Sequence, residues 1–192
     1  MFVDLDMSSN VKRKSAAVMF TDIAGYTNLM ATDEEKALSL LQNKRTIIKP
    51  LIQEYGGIYV KGTGDGTLSY FDSAYKASKC AKTFQESIYD DGNMNVRVGI
   101  HFGDAIYTDK DVFGDVVNVA ARIESRGIPG GIVMSKVAYE QIPENKRMET
   151  ISLGLQAMKG VGRLIELLAI VHESLAKPNL EKYIPSQISF HK

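Results

Sequence analysis

Two acidic side chains stand where a protein could hold divalent cations. Asp22 ends the apolar run AAVMFTDI (residues 16–23), and Asp65 lies in the glycine-rich segment KGTGDG. Carboxylate oxygens are the ligands that Mg²⁺ and Mn²⁺ prefer. If the end of the run and the glycine-rich turn are neighbours, the two carboxylates converge. Two cations held between them could activate an attacking hydroxyl and bind phosphates.

Other polar residues are of the types that bind a nucleotide. Asn118 and Arg122 are four residues apart in FGDVVNVAARIE, so a helix would present both on one face. The valines and alanines around Asn118 suggest the wall of a site, and the planar fork of Arg122 suits a phosphate. Lys61 precedes Asp65 by four residues, and Asp111 precedes the helix. Together these residues indicate a metal-assisted phosphate site.

Each residue also has an ordinary structural interpretation. Asp22 could cap or end a strand, and Asp65 and Asp111 could be simple turn residues. Lys61 could be a solvated lysine of an edge strand, and Arg126 extends the arginine face by one turn, as on a solvated helix surface. The glycines of GTGDG lack P-loop spacing and more simply permit a tight turn. Only the joint presence of the motifs favours a functional site.

Hydrophobic periodicity predicts the elements that must position these residues. Residues 16–23 read as a buried strand, and residues 24–55 as a long helix with one apolar face. A hairpin, a second helix, a strand pair, a third helix and further strands follow. This order predicts an α+β fold, an α/β sandwich with a ferredoxin-like βαββαβ core and extra C-terminal strands. In that topology the first strand lies beside the second strand of the hairpin.

Helix-ending signals give more local expectations. Thr32, followed by three acidic residues, is the expected N-cap of the long helix. Pro50 should kink or break this helix, and the glycines at 56–57 should end it. Asp115 is the candidate cap of the third helix, which Gly127 should close.

Chain organisation is predicted to be simple. Residues 1–14 read as an N-terminal tail or linker, residues 15–172 as one domain, and residues 173–192 as a peripheral C-terminal tail. The late segment KGVGR holds two candidate phosphate ligands, Lys159 and Arg163, and the pattern does not choose between them.

Composition excludes several other classes of protein. The 23 basic and 23 acidic residues balance, which gives no support to a nucleic-acid partner. Cys80 is the single cysteine, so neither an internal disulfide nor a cysteine-rich zinc site is expected. No apolar run reaches the roughly 20 residues of a membrane helix, and the N-terminus does not resemble a secretory signal. We therefore expect a cytoplasmic domain with no membrane segment in this chain.

The motifs resemble those of the class III nucleotidyl cyclase catalytic domain, the adenylate cyclase type in particular. The similarity covers residues 15–170 and includes FTDIAGYT, KGTGDG, FGDVVNVAAR, PGGI and KGVGR in register. The resemblance implies that residues 15–172 are a nucleotidyl cyclase catalytic domain.

The resemblance also implies roles for the metal half of the site. Asp22 and Asp65 would bind two Mg²⁺ or Mn²⁺ ions per site, with the backbone carbonyl of Ile23 as a further ligand. The ribose 3′-hydroxyl would then attack the α-phosphate, and pyrophosphate would leave.

The other implied roles concern the nucleotide itself. Lys61 and Asp111 would bind the base, Asn118 would orient the ribose, and Arg122 would neutralise charge on the α-phosphate. Lysine can donate to adenine N1, and aspartate can accept from the adenine amino group, so ATP is the implied substrate. Guanylate cyclases of this family typically carry glutamate and a small residue at these two positions.

The family places each site between two subunits, one supplying the metal ligands and the other the remaining residues. This chain has both sets, which implies a homodimer with two symmetric sites. The resemblance also admits a regulatory domain or protein as a partner. The alternatives are a non-catalytic regulatory homologue that binds nucleotide, and a guanylate cyclase. A diguanylate cyclase is disfavoured because neither GGDEF nor GGEEF occurs.

Overall fold

The computed structural model describes residues 12–89, 94–108 and 111–183. These residues form one eight-stranded sheet with helices on both faces. The strands are β1 Lys12–Ile23, β2 Ile58–Thr63, β3 Gly66–Phe71, β4 Val96–Tyr107, β5 Val112–Phe113, β6 Ile132–Ser135, β7 Thr150–Gln156 and β8 Ile165–Ile170. The helices are α1 Tyr26–Thr32, α2 Glu34–Glu54, α3 Ala74–Tyr89, α4 Asp115–Ser125 and α5 Lys136–Glu140, with 3-10 turns at Glu144–Lys146 and Leu180–Tyr183. None of the helices in these ranges has the length and apolar character needed to cross a bilayer.

Strand order confirms the predicted fold class. The order is β2-β3-β1-β4-β6-β8-β7, with the short β5 paired to β4. Strand β1 is antiparallel to β3 and to β4, whereas β6 is parallel to β4. Strands β1 to β4 with α2 and α3 make the ferredoxin-like βαββαβ core, and β6, β7 and β8 extend it. As predicted, β1 lies beside the second strand of the hairpin.

Successive residues of β1 face opposite sides of the sheet. Met19 belongs to an apolar core shared with Ile48 of α2 and Phe84 of α3. Val18 belongs to a second core, on the other side, which includes Val116 of α4. The sheet is therefore covered by α2 and α3 on one face and by α4 on the other.

Strand β1 begins earlier than the apolar run indicated. It starts at Lys12, inside the segment predicted as a tail, and it pairs with β4 over its whole length. Residues 12–15 are exposed, so they carry no hydrophobic signal although their backbone belongs to the ladder. The rest of the predicted tail, residues 1–11, lies outside the described residues.

The long helix differs from the prediction at its start and at its proline. A break separates α1 from α2, and the side chain of Asp33, not Thr32, caps α2 by accepting from the amide of Lys36 at 3.0 Å. Helix α2 continues through Pro50 to its end at Glu54. Burial of the apolar face on both sides of the proline offsets the lost backbone hydrogen bond.

Two further local features, the start of α4 and the presence of α5, also differ from the prediction. Helix α4 begins after Gly114, and no side chain caps it, so Asp115 is not a cap. Helix α5 was not predicted; Ser135 caps it by accepting from the amide of Ala138 at 3.1 Å. A helix of five residues is too short for periodicity to reveal.

The segment after residue 172 is not simply peripheral. Leu175 is buried in the main core. Further on, the hydroxyl of Tyr183 donates to the carbonyl of Arg126 at 2.6 Å, and the carbonyl of Tyr183 accepts from Gln156 at 2.8 Å. Residues up to 183 therefore pack on the end of α4 and on β7, and residues 184–192 lie outside the described part.

A close contact at Gly99 lets α4 lie directly on β4. A Cβ atom at this position would lie 2.3 Å from the backbone nitrogen of Glu124, closer than any real contact. Because that nitrogen belongs to a helix backbone, it cannot move aside as a flexible side chain would. The absence of a side chain at Gly99 therefore sets the distance between α4 and the sheet.

We expect Gly99→Ala to lower the free energy of unfolding by about 1–3 kcal/mol, since α4 must move away from β4. Urea denaturation followed by circular dichroism measures this change. Gly162→Ala is the control, because a Cβ there meets no atom within 4 Å. Equal stability of the two variants would contradict the packing argument.

Candidate active site

The carboxylates of Asp22 and Asp65 converge. Asp22 lies one residue before the end of β1, and Asp65 lies in the β2–β3 turn, where Gly64 adopts φ +68°. Because β3 pairs with β1, this turn reaches the end of β1. The Oδ2 atom of Asp65 accepts from the amide of Ile23 at 3.1 Å. Burial and the neighbouring Asp22 carboxylate raise the pKa of Asp65 to about 6.

A buried lysine joins the two segments that carry these carboxylates. Lys44 of α2 has no exposed surface, and its Nζ donates to the carbonyls of Thr21 at 3.1 Å and Asp65 at 2.6 Å. Burial lowers the pKa of Lys44 to about 8, although Asp22 and Asp65 favour its charged form. Lys44 thus links the β2–β3 turn to the end of β1 and places a positive charge near Asp22 and Asp65.

Sequence reasoning missed Lys44, but its spacing was a usable signal. The residue follows Ala37 by seven positions and precedes Ile48 by four, so it falls on the apolar face of α2. A lysine on such a face is almost never fully buried unless it has partners.

A second cation lies on the other side of Asp22. Arg97 of β4 is directly opposite Asp22 in the ladder, and their side chains form an ion pair. The Nε atom of Arg97 lies 3.1 Å from Oε1 of Glu124 on α4. Burial, and then the negative charge of Asp22, raise the pKa of Glu124 to about 7. Neither residue was predicted, because their proximity depends on strand register and on the close approach of α4.

This donor set suits a hard divalent cation. Among the described residues no group of three or more histidine, cysteine or acidic side chains could enclose a metal. Magnesium is usually bound by one or two carboxylates together with substrate phosphates and water, so a full protein cage is not required. Two adjacent carboxylates at a strand end meet that requirement. Lys44 and Arg97 compensate their charge in the protein alone.

The base-binding candidates line a cavity of about 620 Å³. Lys61 of β2 and Asp111, just before β5, form an ion pair at its edge. Phe20 and Leu68 contribute apolar walls, and Asn118 of α4 lines the same cavity. The structure thus brings Lys61, Asp111 and Asn118 together around a space with apolar walls and polar edges.

In the part of the chain that the structure describes, the side chains of Asn118 and Arg122 make no bond to the carboxylates of Asp22 and Asp65. Both side chains are exposed on α4, and within residues 12–89, 94–108 and 111–183 neither has a hydrogen-bond or ion-pair partner. Arg122 is not among the residues that line the cavity. Within the described residues, no side-chain hydrogen bond or ion pair joins the two halves of the predicted site.

The late basic residues differ from each other. Arg163 forms an ion pair with Asp115, in the first turn of α4, at 2.7 Å. Lys159 is exposed and has no side-chain partner in the described part of the chain. Asp115 is the first residue of α4 and Gly114 holds the N-cap position, so the Asp115 side chain pairs with Arg163 without capping the helix.

The family match and the most similar relatives reported below are all cyclases. Residues 9–169 match the family described as the adenylate and guanylate cyclase catalytic domain. A putative adenylate cyclase 3 of Rhizobium meliloti is 32% identical over 93% of this chain. An adenylate cyclase of Streptomyces coelicolor is 34% identical over 66% of the chain. The chain spans about a third of each relative's length, namely 32% and 34%.

Solved structures agree on the fold. An adenylate/guanylate cyclase/hydrolase from Silicibacter pomeroyi has a TM-score of 0.79 and 35% identity, covering 85% of this chain and all of that chain. The adenylyl cyclase CyaB from P. aeruginosa has a TM-score of 0.77 at 24% identity, over 87% of this chain and all of the other. On the fold, the motif positions and the family match, this chain belongs to the adenylate and guanylate cyclase catalytic domain family.

Proposed function

We propose that this chain is the catalytic domain of an adenylate cyclase that converts ATP to 3′,5′-cyclic AMP and pyrophosphate. The observation that carries the proposal is the ion pair of Lys61 and Asp111 at the edge of a cavity, in a chain that also holds the converging carboxylates. The Lys61–Asp111 pair suits an adenine base, and the converging carboxylates suit cations that bind a triphosphate. Family membership supports cyclisation as the reaction.

The metal half of the mechanism uses the end of β1 and the β2–β3 turn. Asp22 and Asp65, with the carbonyl of Ile23, would hold two Mg²⁺ or Mn²⁺ ions. When bound, such ions supply activation of the 3′-hydroxyl and charge neutralisation on the phosphates. Lys44 keeps the two carboxylates together through its bonds to both backbone segments. Catalysis here is positioning and electrostatic stabilisation, with no covalent enzyme intermediate.

The nucleotide half uses exposed side chains of α4. Asn118 orients the ribose, and the guanidinium of Arg122 stabilises the negative charge that develops on the α-phosphate. The lack of a protein partner for either side chain within the described residues leaves their donors available to substrate. Their exposure supports a site completed by a second chain.

Base selection follows from hydrogen-bond polarity. The ammonium of Lys61 donates to adenine N1, and the carboxylate of Asp111 accepts from the adenine amino group. Guanine presents a donor at N1 and an acceptor at O6, so it would leave these groups unpaired at a cost of about 1–3 kcal/mol each. The ion pair between Lys61 and Asp111 holds both near the cavity before the base enters.

We propose a homodimer with two symmetric sites. One subunit supplies Asp22 and Asp65, and the other supplies Lys61, Asp111, Asn118 and Arg122. A two-fold arrangement gives two identical sites from one set of contacts. We place the reaction in the cytoplasm, with a regulatory domain or protein acting on the dimer. The second candidate is a guanylate cyclase, since a receptor-type guanylate cyclase of Caenorhabditis elegans is 27% identical over 77% of this chain.

Purified protein with Mn²⁺ and either ATP or GTP tests the substrate. We expect cyclic AMP as the main product by liquid chromatography, and no product from Asp22→Ala. Cyclic GMP as the main product would overturn the base assignment. Absence of both products would favour the non-catalytic regulatory homologue.

Mixing two inactive variants tests the shared sites. Asp22→Ala and Asn118→Ala should each be inactive alone, whereas the mixed heterodimer regains one intact site. We expect the mixture to recover about a quarter of wild-type activity if subunits exchange randomly, because half of the dimers then hold one of two sites. Failure to recover activity while native mass spectrometry detects heterodimers would argue against shared sites.

The pH dependence of Mn²⁺ binding tests the role of Asp65. Its pKa of about 6 means that protons compete with the cation below that pH. In Glu124→Gln, which lacks the second titrating acid near the site, we expect nucleotide-free Mn²⁺ affinity to fall by roughly tenfold per pH unit below about 6 and to level off above it. Calorimetric titration from pH 5 to 8 measures this, and the wild-type curve adds the protonation of Glu124, whose pKa is about 7. An affinity that stays constant down to pH 5 would contradict competition between protons and the cation at an Asp65 whose pKa is about 6.

A further inference from the structure

The guanidinium of Arg97 lies on a carboxylate that is also the proposed metal ligand. Arg97 and Asp22 are register partners on β4 and β1, and the ion pair uses Oδ2 of Asp22. The side chains retain 28% and 22% exposure, so the pair is largely shielded from solvent. A carboxylate oxygen held by a guanidinium has less electron density to offer a metal ion, and the two cations repel each other.

A second carboxylate lies within reach of the same guanidinium. Glu124 is 12% exposed, and its Oε1 lies 3.1 Å from Nε of Arg97. Both atoms are buried, and neither makes a hydrogen bond of acceptable geometry with the described residues. Arg97 therefore has hydrogen-bonding capacity toward Glu124 that the present arrangement does not use.

We propose that Arg97 is a positioning residue that occupies Asp22 in place of a divalent cation and shifts to Glu124 when a cation binds. This inference rests on the proposed metal site at Asp22 and Asp65. It assigns to Arg97 and Glu124 the task of controlling access to that site. The ion pair with Arg97 holds the Asp22 side chain in place before the cation arrives, at the expense of affinity for the free cation.

Lys44 is not a competitor of this kind. Its Nζ donates to the backbone carbonyls of Thr21 and Asp65, so it occupies no carboxylate oxygen of the site. Arg97 is the cation whose partner atom the metal would also need. The two positive charges therefore have separate effects, one on the position of the turn and the other on competition for Asp22.

Mn²⁺ titration of the full chain without nucleotide tests the proposal by calorimetry and electron paramagnetic resonance. We expect Arg97→Gln to bind Mn²⁺ at least about fivefold more tightly than wild type. Arg45→Gln is the matched control, because Arg45 donates to the carbonyl of Gly64 near the site but pairs with no carboxylate of the described residues. Its affinity should stay within about twofold of wild type. Equal tightening in both arginine variants would overturn direct competition in favour of a general field effect.

A double-mutant cycle separates transfer to Glu124 from simple electrostatics. Glu124→Gln alone should weaken Mn²⁺ binding by about fivefold, because Arg97 then has only Asp22 as a partner. In the Arg97→Gln background the same substitution should have little effect. Additive effects of the two substitutions would overturn the transfer. Glu124→Gln keeps the Arg97–Asp22 pair, so it serves as a test even if Arg97→Gln does not fold.

Asp22→Asn distinguishes failure of this inference from failure of the metal site. If wild type binds Mn²⁺ and Asp22→Asn does not, the metal site stands. Unchanged or weaker binding by folded Arg97→Gln then overturns the role of Arg97 alone. If wild type and every variant bind no Mn²⁺, both the proposed metal site and this inference are overturned.

Discussion

The register of β1 between β3 and β4 is the constraint on which the site depends. Pairing with β3 brings the β2–β3 turn, and with it Asp65, to the end of β1. Pairing with β4 sets Arg97 opposite Asp22. A shift of one residue would turn Asp22 to the face covered by α2 and α3, where a carboxylate has no cationic partner on β4. Burial of alternating apolar residues on both faces prevents that shift.

Charge balance then explains how converging acids persist in the folded protein. Three carboxylates, those of Asp22, Asp65 and Glu124, share a small volume with the cations of Lys44 and Arg97. Isolated buried carboxylates would be costly. Lys44 donates to two backbone carbonyls beside the acids, and Arg97 pairs with Asp22 of β1 and with Glu124 of α4. These two cations offset the repulsion among the acids. When all three acids are ionised, the negative charges outnumber the two positive ones, which would favour the proposed binding of a divalent cation.

Much of this arrangement was visible in the sequence, and the remainder depends on three-dimensional register. Asp22 and Asp65 could be placed together because strand order follows from a familiar alternation of helix and strand. Arg97 could not, since a single arginine between apolar strand residues looks like any solvated position. Glu124 becomes a partner only because Gly99 lets α4 approach β4. Pro50 shows the converse case: a proline usually breaks a helix, but the packing of α2 keeps the helix continuous through it.

The contact between Tyr183 and Arg126 has a mechanical consequence. The family match ends at residue 169, yet the chain goes on to bond the last turn of α4 through the Tyr183 hydroxyl. Arg126 is also joined to Gln156 and Ala157 on the β7 side, which stiffens this corner of the domain. Any pull transmitted along the chain through Tyr183 is therefore applied to the helix that carries Arg122, one turn away from its anchored end.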